Sequence, residues 1–462
     1  MMKRSFPLVV PLLALGLSGC DFAPHYSRPG APVPPALPTG GVYPAPSDQK
    51  PGMAWQTLIA DERLRALVTR ALADNRDLRQ AVANVASARA QYRSQRSNLL
   101  PTIGASGSAS VNSTHDSNGT NTYSAALGFS AFEIDLFGRQ RDLTRAAFET
   151  YLGSEAGARS ARITLVAELA TAWVTYAADS DLLAVAKDTA ASAGRSLDLT
   201  RELDRAGLVG KLDVNEAETV EAQAQSDVEN YSTQVAQDRN AIQLLVGADI
   251  ADAQLPRSLA EIESALSIVP AGLSSDILLQ RPDVLEAEHQ LKSANANIGA
   301  ARAAFFPDIT LTSGLGFAST ALSRLFTGGA FGWSVAPSAT MPIFGGPTGA
   351  NLAYAKAQRD YYLAGYEKAI QSAFRDVSNA LARRGTIDRQ RTAQRRLVAA
   401  SQQSLTLSTA QYKAGVASYL TTLTSQRQLY TARQTEVVTI LADFTNRVDL
   451  YSALGADDPA LR

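Results

Sequence analysis

One cysteine, three histidines and only 7% aromatic residues among 462 set the first limits on this chain. A single cysteine, Cys20, forbids an internal disulfide and excludes a thiol nucleophile anywhere beyond the N-terminus. His25, His115 and His289 are scattered without metal-ligand spacing, and each is expected in solvent. The Gly-x-Gly of "TSGLGF" lacks a third glycine, and nothing resembles a phosphate-binding loop. Asp283, Glu286 and Glu288 lie along one helical stretch, where solvation or i,i+4 pairing accounts for them. No catalytic constellation, metal site or cofactor is therefore expected. Net charge is also scarce: 43 Lys and Arg face 44 Asp and Glu, interspersed, which leaves no basic surface for nucleic acid. Few aromatics with abundant Ala, Ser, Gln and Thr suit elongated helices better than one large globule.

Proline is absent where helices are expected. Eleven of the 20 prolines fall in residues 1–51, and none lies between Pro101 and Pro256 or between Pro347 and Pro459. Within those spans, Arg139 to about Ala206 and Ala350 to about Ala414 are built from strong helix formers. A helix of roughly 65 residues is about 100 Å long. The Pro-rich N-terminal stretch reads instead as an extended tether, residues 20–55.

Ahead of that tether, Lys3, Arg4 and an apolar run from Phe6 to Leu17 resemble a secretory signal over residues 1–19. "LSGC" then resembles the lipobox of a bacterial lipoprotein, in which Cys20 is lipidated and becomes the mature N-terminus. Asp21 bears on the address. In enteric bacteria an Asp directly after the lipidated cysteine resembles a signal for retention at the inner membrane.

The chain is also written twice. "RDLRQAVANVASARAQYRSQRSNLLP" (76–101) aligns with "PDVLEAEHQLKSANANIGAARAAFFP" (282–307), placing Asp77 on Asp283, Arg96 on Arg302 and Pro101 on Pro307. "RAGLVGKLDV" (205–214) meets "KAGVASYLTT" (413–422), and Gly247-Ala248-Asp249 meets Gly455-Ala456-Asp457. The repeats are expected over residues 56–258 and 259–462, each as helix, β-hairpin, very long helix, Gly-marked tip and helix. The hairpins are expected at 102–134 and 308–343, and the tips at 207–212 and 415–420.

Charge is missing from the hairpin legs. Between Arg96 and Glu133 only His115 and Asp116 interrupt the uncharged run, and between Asp308 and Lys356 only Arg324 does. Ile103, Ala105, Gly107, Ala109 and Val111 alternate with small polar residues. So do Tyr123, Ala125, Leu127, Phe129 and Ala131, and in the second copy Ile309, Leu311, Leu315 and Phe317, then Phe331, Trp333 and Val335. Period two over about 9–11 residues fits a tilted membrane-spanning strand. Gly and Pro within the uncharged run 325–355 argue against a membrane helix there. Glu133 and Asp135, at the strand-to-helix junction, fit either a lumen lining or a membrane boundary. Four strands cannot close a barrel alone, so the chain is expected to oligomerise.

With "LSGC", "FEIDLFGRQR", "LLQRPDVLEAEHQLKSANANIGAARAAFFPDITLTSG" and "YKAGVASYLTTLTSQRQLYTAR", the chain resembles a TolC-type outer-membrane efflux channel of the lipidated, NodT-like branch, over residues 20–456. The resemblance implies a homotrimer with a 12-stranded outer-membrane β-barrel, four strands per chain, continued by a long periplasmic α-helical barrel. It implies a passive duct for drugs or other small molecules, embedded in outer-membrane lipid and fed by an inner-membrane pump of the RND type through a periplasmic membrane-fusion adapter. The alternative is an elongated envelope lipoprotein scaffold or adhesin without transport; uncharged strand legs weigh against it, since a tip in water has no reason to exclude charge.

The resemblance also assigns residues. Gly207, Leu208, Gly415 and Val416 match the tips that meet the adapter. Family members commonly carry Asp at the positions of Thr421 or Thr424, so an acidic ring is expected to be absent. Leu420 matches a bulky constriction residue and is expected to close the tunnel as an apolar ring with Tyr419. Asp213 matches a latch residue expected to bond Tyr412, while the family's matching Arg is Ala417 here, which removes a strong ionic latch.

Overall fold

The computed structural model describes residues 21–45, 54–114, 117–267, 274–327 and 329–455, apart from the side chains of 113–120. Cys20, the signal-like stretch before it, His115 and Asp116 lie outside the described residues. In chain order the helices and strands are α1 (Trp55–Leu58), α2 (Glu62–Asp74), α3 (Arg76–Ser97), β1 (Gly104–Thr114), β2 (Ser117–Glu133), α4 (Arg139–Arg205) and α5 (Lys211–Val246). The second copy follows as α6 (Pro282–Ala303), β3 (Asp308–Ser319), β4 (Phe331–Thr340), α7 (Thr348–Lys413) and α8 (Tyr419–Leu454). The repeat is close in dimension: α3 and α6 have 22 residues each, α5 and α8 36 each, and α4 and α7 67 and 66.

Two compact units share these elements. One comprises the chain up to Gly30, Ala83–Ala156 and Leu285–Lys368; the other comprises Ala31–Val82, Gly157–Val284 and Ala369 onward. The first holds one antiparallel sheet in the order β1-β2-β3-β4, so β1 and β4 each keep an unpaired edge within the chain. Its period-two phase changes once. Phe129 pairs with Ser313 and Phe132 with Leu311, leaving Ser130 and Ala131 opposite Thr312 alone. Ala131 takes a positive φ of 51° in this bulge, and its N–H donates to Thr312 Oγ1 at 3.0 Å. The expected alternation through Ala131 therefore breaks there, and Phe132 instead rejoins the face of Phe129.

In the second unit a hydrophobic core gathers Leu64, Leu67 and Val68 of α2, Trp173 of α4, Ile242 and Val246 of α5, and Phe444 and Val448 of α8. Asp61 caps α2 by accepting from the N–H groups of Arg63 and Leu64. Trp173 is fully buried and donates to Gln254 O at 3.0 Å, which satisfies its one polar atom.

The N-terminal stretch is extended, but it does not hang free as a tether would. In the first unit Arg28 binds Glu288 through Nε at 3.1 Å and Nη2 at 2.6 Å, and Asn295 donates to Pro24 O at 2.6 Å. In the second, Ala36 bridges Ser274, and the backbone at Val42 crosses so close to Gly385 that a Cβ there would meet Val42 O. Pro-rich composition sets the extended conformation; the docking comes from partners hundreds of residues away.

Candidate functional site

Two surfaces carry the chemistry, one in each unit. In the sheet, the register aligns rows of like side chains across the strands. Ala105, Leu127, Leu315 and Trp333 stand in one row, and Gly107, Ala125, Phe317 and Phe331 in the next. Paired residues point to the same side of an antiparallel sheet, so this face is apolar. Trp333 is 75% exposed, an exposure that water alone would not reward in so large an apolar side chain. The opposite face carries Gly104, Gly128, Gly314 and Ser334 in one row and Ser106, Ala126, Gly316 and Gly332 in the next. A Cβ at Gly128 or Gly316 would run into the neighbouring strand's backbone, so glycine there lets the sheet bend toward its small-residue face. Among the described residues no helix is long and apolar enough to cross a membrane. The sheet, apolar on one face and small and polar on the other, has the composition of a barrel wall.

At the lower edge of this wall, Glu133 accepts from Arg139 at 2.7 Å and Asp135 from Arg141 at 3.2 Å. Both carboxylates are thus paired with the first turn of α4. His289, expected in solvent, instead contacts Glu149 at 2.7 Å with both side chains less than one-fifth exposed. Glu288 is likewise buried, paired with Arg28 and with Lys292 at 3.0 Å, because the docked N-terminal stretch covers it. His25 is exposed, as expected.

The second surface is the tip. α4 and α7 end in the same way. Gly207 and Gly415 both adopt φ 73°, and Gly207 N–H donates to Asp204 O while Leu208 N–H donates to Leu203 O, both at 2.9 Å. Gly415 and Val416 repeat the pattern onto Tyr412 O and Gln411 O. These paired bonds form a Schellman motif, which turns the chain while satisfying terminal carbonyls. The turns leave Leu208, Leu212 and Val416 about 70% exposed or more.

Beneath the turns, Ala193 and Leu197 of α4, Ala217 and Val220 of α5, and Tyr419 and Leu423 of α8 form one small core. Tyr419 is 2% exposed and packs against Tyr412 with ring centroids 5.3 Å apart. Burial, with the nearby Tyr412, Glu216 and Asp213, pushes its hydroxyl up to about 12. Tyr419 is thus a core residue of the tip and not a member of an exposed ring. Leu420, its neighbour, is 56% exposed. The hydroxyl of Thr424 donates its proton back to Leu420 O at 2.8 Å and keeps only acceptor capacity toward its surroundings.

The expected bond between Asp213 and Tyr412 is not made. Tyr412 Oη is buried without a hydrogen-bond partner, and burial raises its pKa, with the Thr200 hydroxyl beside it opposing and the Asp213 charge adding at a distance. No sequence signal marks this, because Thr200 lies on α4 and the contact depends on how the helices pack. Other ties hold the tip helices: Thr422 donates to Ser408 O at 3.1 Å, and Tyr430 to Asp227 at 2.6 Å.

A family model described as outer membrane efflux protein matches residues 67–248 and 273–456, one stretch in each repeat. The chain belongs to the outer membrane efflux protein family. It is 43% identical over 466 residues to the antibiotic efflux pump outer membrane protein ArpC of Pseudomonas putida, covering 98% of this chain and 96% of that one. The toluene efflux pump outer membrane protein TtgC of the same species matches with the same identity and coverage. Among solved structures, the open state of the Neisseria gonorrhoeae MtrE outer membrane channel superposes with a TM-score of 0.84 at 35% identity, covering 95% of this chain and 98% of that one.

Membership gives the sheet and the long helices their setting. As an efflux channel of the outer membrane, the chain supplies four strands to a trimeric twelve-stranded barrel, continued by a periplasmic helical barrel. It acts in a tripartite system with an adapter and an inner-membrane pump, and the reading as a scaffold or adhesin without transport falls.

Proposed function

We propose that this channel is a passive, non-enzymatic exit duct for small organic molecules, drugs and solvents among them, closed at its periplasmic end by an apolar ring of Leu420. Leu420 carries the reading: it is a large apolar side chain left exposed on a helix whose next inward residues are buried. Three copies around the channel axis would bring three such side chains together, and an apolar constriction gates by excluding water. Residues 421 and 424 beside it are threonines, so neither adds a carboxylate to the ring. The exposed Gly207–Leu208 and Gly415–Val416 turns would take the adapter, and Cys20 would carry the lipid.

Asp213 then holds the resting tip by charge and by its place in the first turn of α5, not by a bond to Tyr412. With neither that bond nor an ionic latch at Ala417, the closed state opens readily. The test is single-channel conductance, or uptake of a large antibiotic, in intact trimers. Leu420→Ser is expected to raise conductance strongly and Asp213→Ala slightly. Unchanged conductance for Leu420→Ser removes it as the gate, and marked block of the unmodified channel by divalent cations places an acidic ring elsewhere.

A further inference from the structure

Asp21 sits at odds with the protein's address. The residue after Cys20 resembles an inner-membrane retention signal, yet the family resides in the outer membrane. In the first unit Asp21 is held in a built seat. Its Oδ2 accepts from Arg145 Nη2 at 2.9 Å, and its Oδ1 accepts the N–H of Ala23, also at 2.9 Å. Both oxygens are engaged, although half of the side chain remains open to solvent.

That ion pair alone would contribute little, since exposed pairs are screened and cost side-chain entropy. Residues 22–28 make the seat. Phe22 stacks on Phe306 at 4.7 Å, and Phe306 stacks in turn on Phe137 at 4.9 Å. Arg302 donates to Phe22 O at 2.9 Å. Ala23 passes directly over Gly299, where a Cβ would meet both Ala23 N and the Asp142 carboxylate. Asn295 then holds Pro24 O, and Arg28 is anchored by two bonds to a Glu288 side chain only 3% exposed. The backbone is thus pinned from residue 22 to residue 28, and Asp21 is delivered to Arg145 by geometry. Arg145 also lies 3.3 Å from Asp142, so its charge is shared between the two carboxylates.

We propose that this seat withdraws Asp21 from the machinery that reads the residue after a lipidated cysteine, so that the folded chain leaves the inner membrane despite carrying Asp. The proposal rests on the reading that Cys20 is lipidated. A reader that recognises a free carboxylate finds one already neutralised by a guanidinium and held by its own backbone.

The experiment uses the full chain in an enteric host, with radiolabelled palmitate and separation of the two membranes. The wild-type chain is expected to be labelled and to reside in the outer membrane. Arg145→Glu should remain labelled but shift to the inner membrane, and Arg145→Glu with Asp21→Ser should return outward. Phe22→Ala with Phe306→Ala, which unseats the segment without altering charge, should also shift inward and be rescued by Asp21→Ser. Rescue separates sorting from misfolding. Labelled Arg145→Glu in the outer membrane at the wild-type level overturns the proposal, and so does retention that persists after Asp21→Ser. An unlabelled wild-type chain in the outer membrane instead overturns the lipidation reading on which the proposal stands.

Discussion

Asp142 is a residue whose charge costs the fold. Its side chain is 2% exposed, one carboxyl oxygen has no partner, and burial together with the Asp21 charge raises its pKa from the usual 3.8 to about 6, against the pull of Arg145. A carboxyl with a raised folded pKa binds its proton more tightly in the native state, so stability rises as pH falls through about 6 toward 3.8 and is lowest above 6. Asp142→Asn is therefore expected to stabilise the protein by roughly 1–3 kcal/mol at pH 8 and to flatten the dependence between pH 4 and 7. Thermal dissociation of purified trimers across that range measures it; an unchanged slope would show that Asp142 ionises without penalty. Nothing in the sequence marked this residue. Asp142 reads as a favourable acid in the first turn of a long helix, and only the approach of Gly299 and residue 23 buries it.

At the scale of elements, α7 and α8 are joined through one buried carboxylate. Asp443 has no exposed surface and accepts from Arg384, Arg391 and Arg447, each at 2.7 Å. Burial alone would raise its pKa, but the Arg447 hydrogen bond and the three guanidinium charges hold it below the usual carboxylate range. The stability it contributes is therefore fully present above 3.8 and lost only as pH falls through the lower, folded value. Asp443→Asn leaves three guanidinium groups facing one another and is expected to cost about 3–5 kcal/mol. Denaturant titration of the variant checks this, and a loss under about 1 kcal/mol would mean that the arginines repair one another through Glu263 and Asp388. The helices and strands themselves were legible, because proline-free spans and period-two legs are local signals repeated in two copies. The bulge at Ala131, the docking of residues 21–45 and the Asp443 cluster were not, since each depends on a partner remote in sequence. At the tip the identities were legible and the contacts were not: residues 421 and 424 read as threonines and not as acids, but the burial of Tyr419 follows from the small residues Ala193 and Ala217 on two other helices.

For the whole molecule the deciding feature is the pair of open edges. β1 and β4 each present one side of unpaired N–H and C=O groups, and in lipid every such group costs several kcal/mol. Closure by three copies pairs β4 of each chain with β1 of the next, and a head-to-tail contact of this kind closes only if its rotation completes a ring. Cysteine pairs read that rotation directly, because the chain has no cysteine beyond Cys20. Ser106→Cys on β1 would be combined in turn with Ser334→Cys, Ala336→Cys and Ser338→Cys on β4, all on the small-residue face. A disulfide needs Cα atoms within about 7 Å, so only the pairing that matches the true register should oxidise readily. The expected product is a covalent ladder of two and three chains that stops at three, formed in membranes without denaturant. Bands beyond three would mean an open, non-closing contact, and no crosslink at any of the three positions would mean that β1 and β4 do not meet.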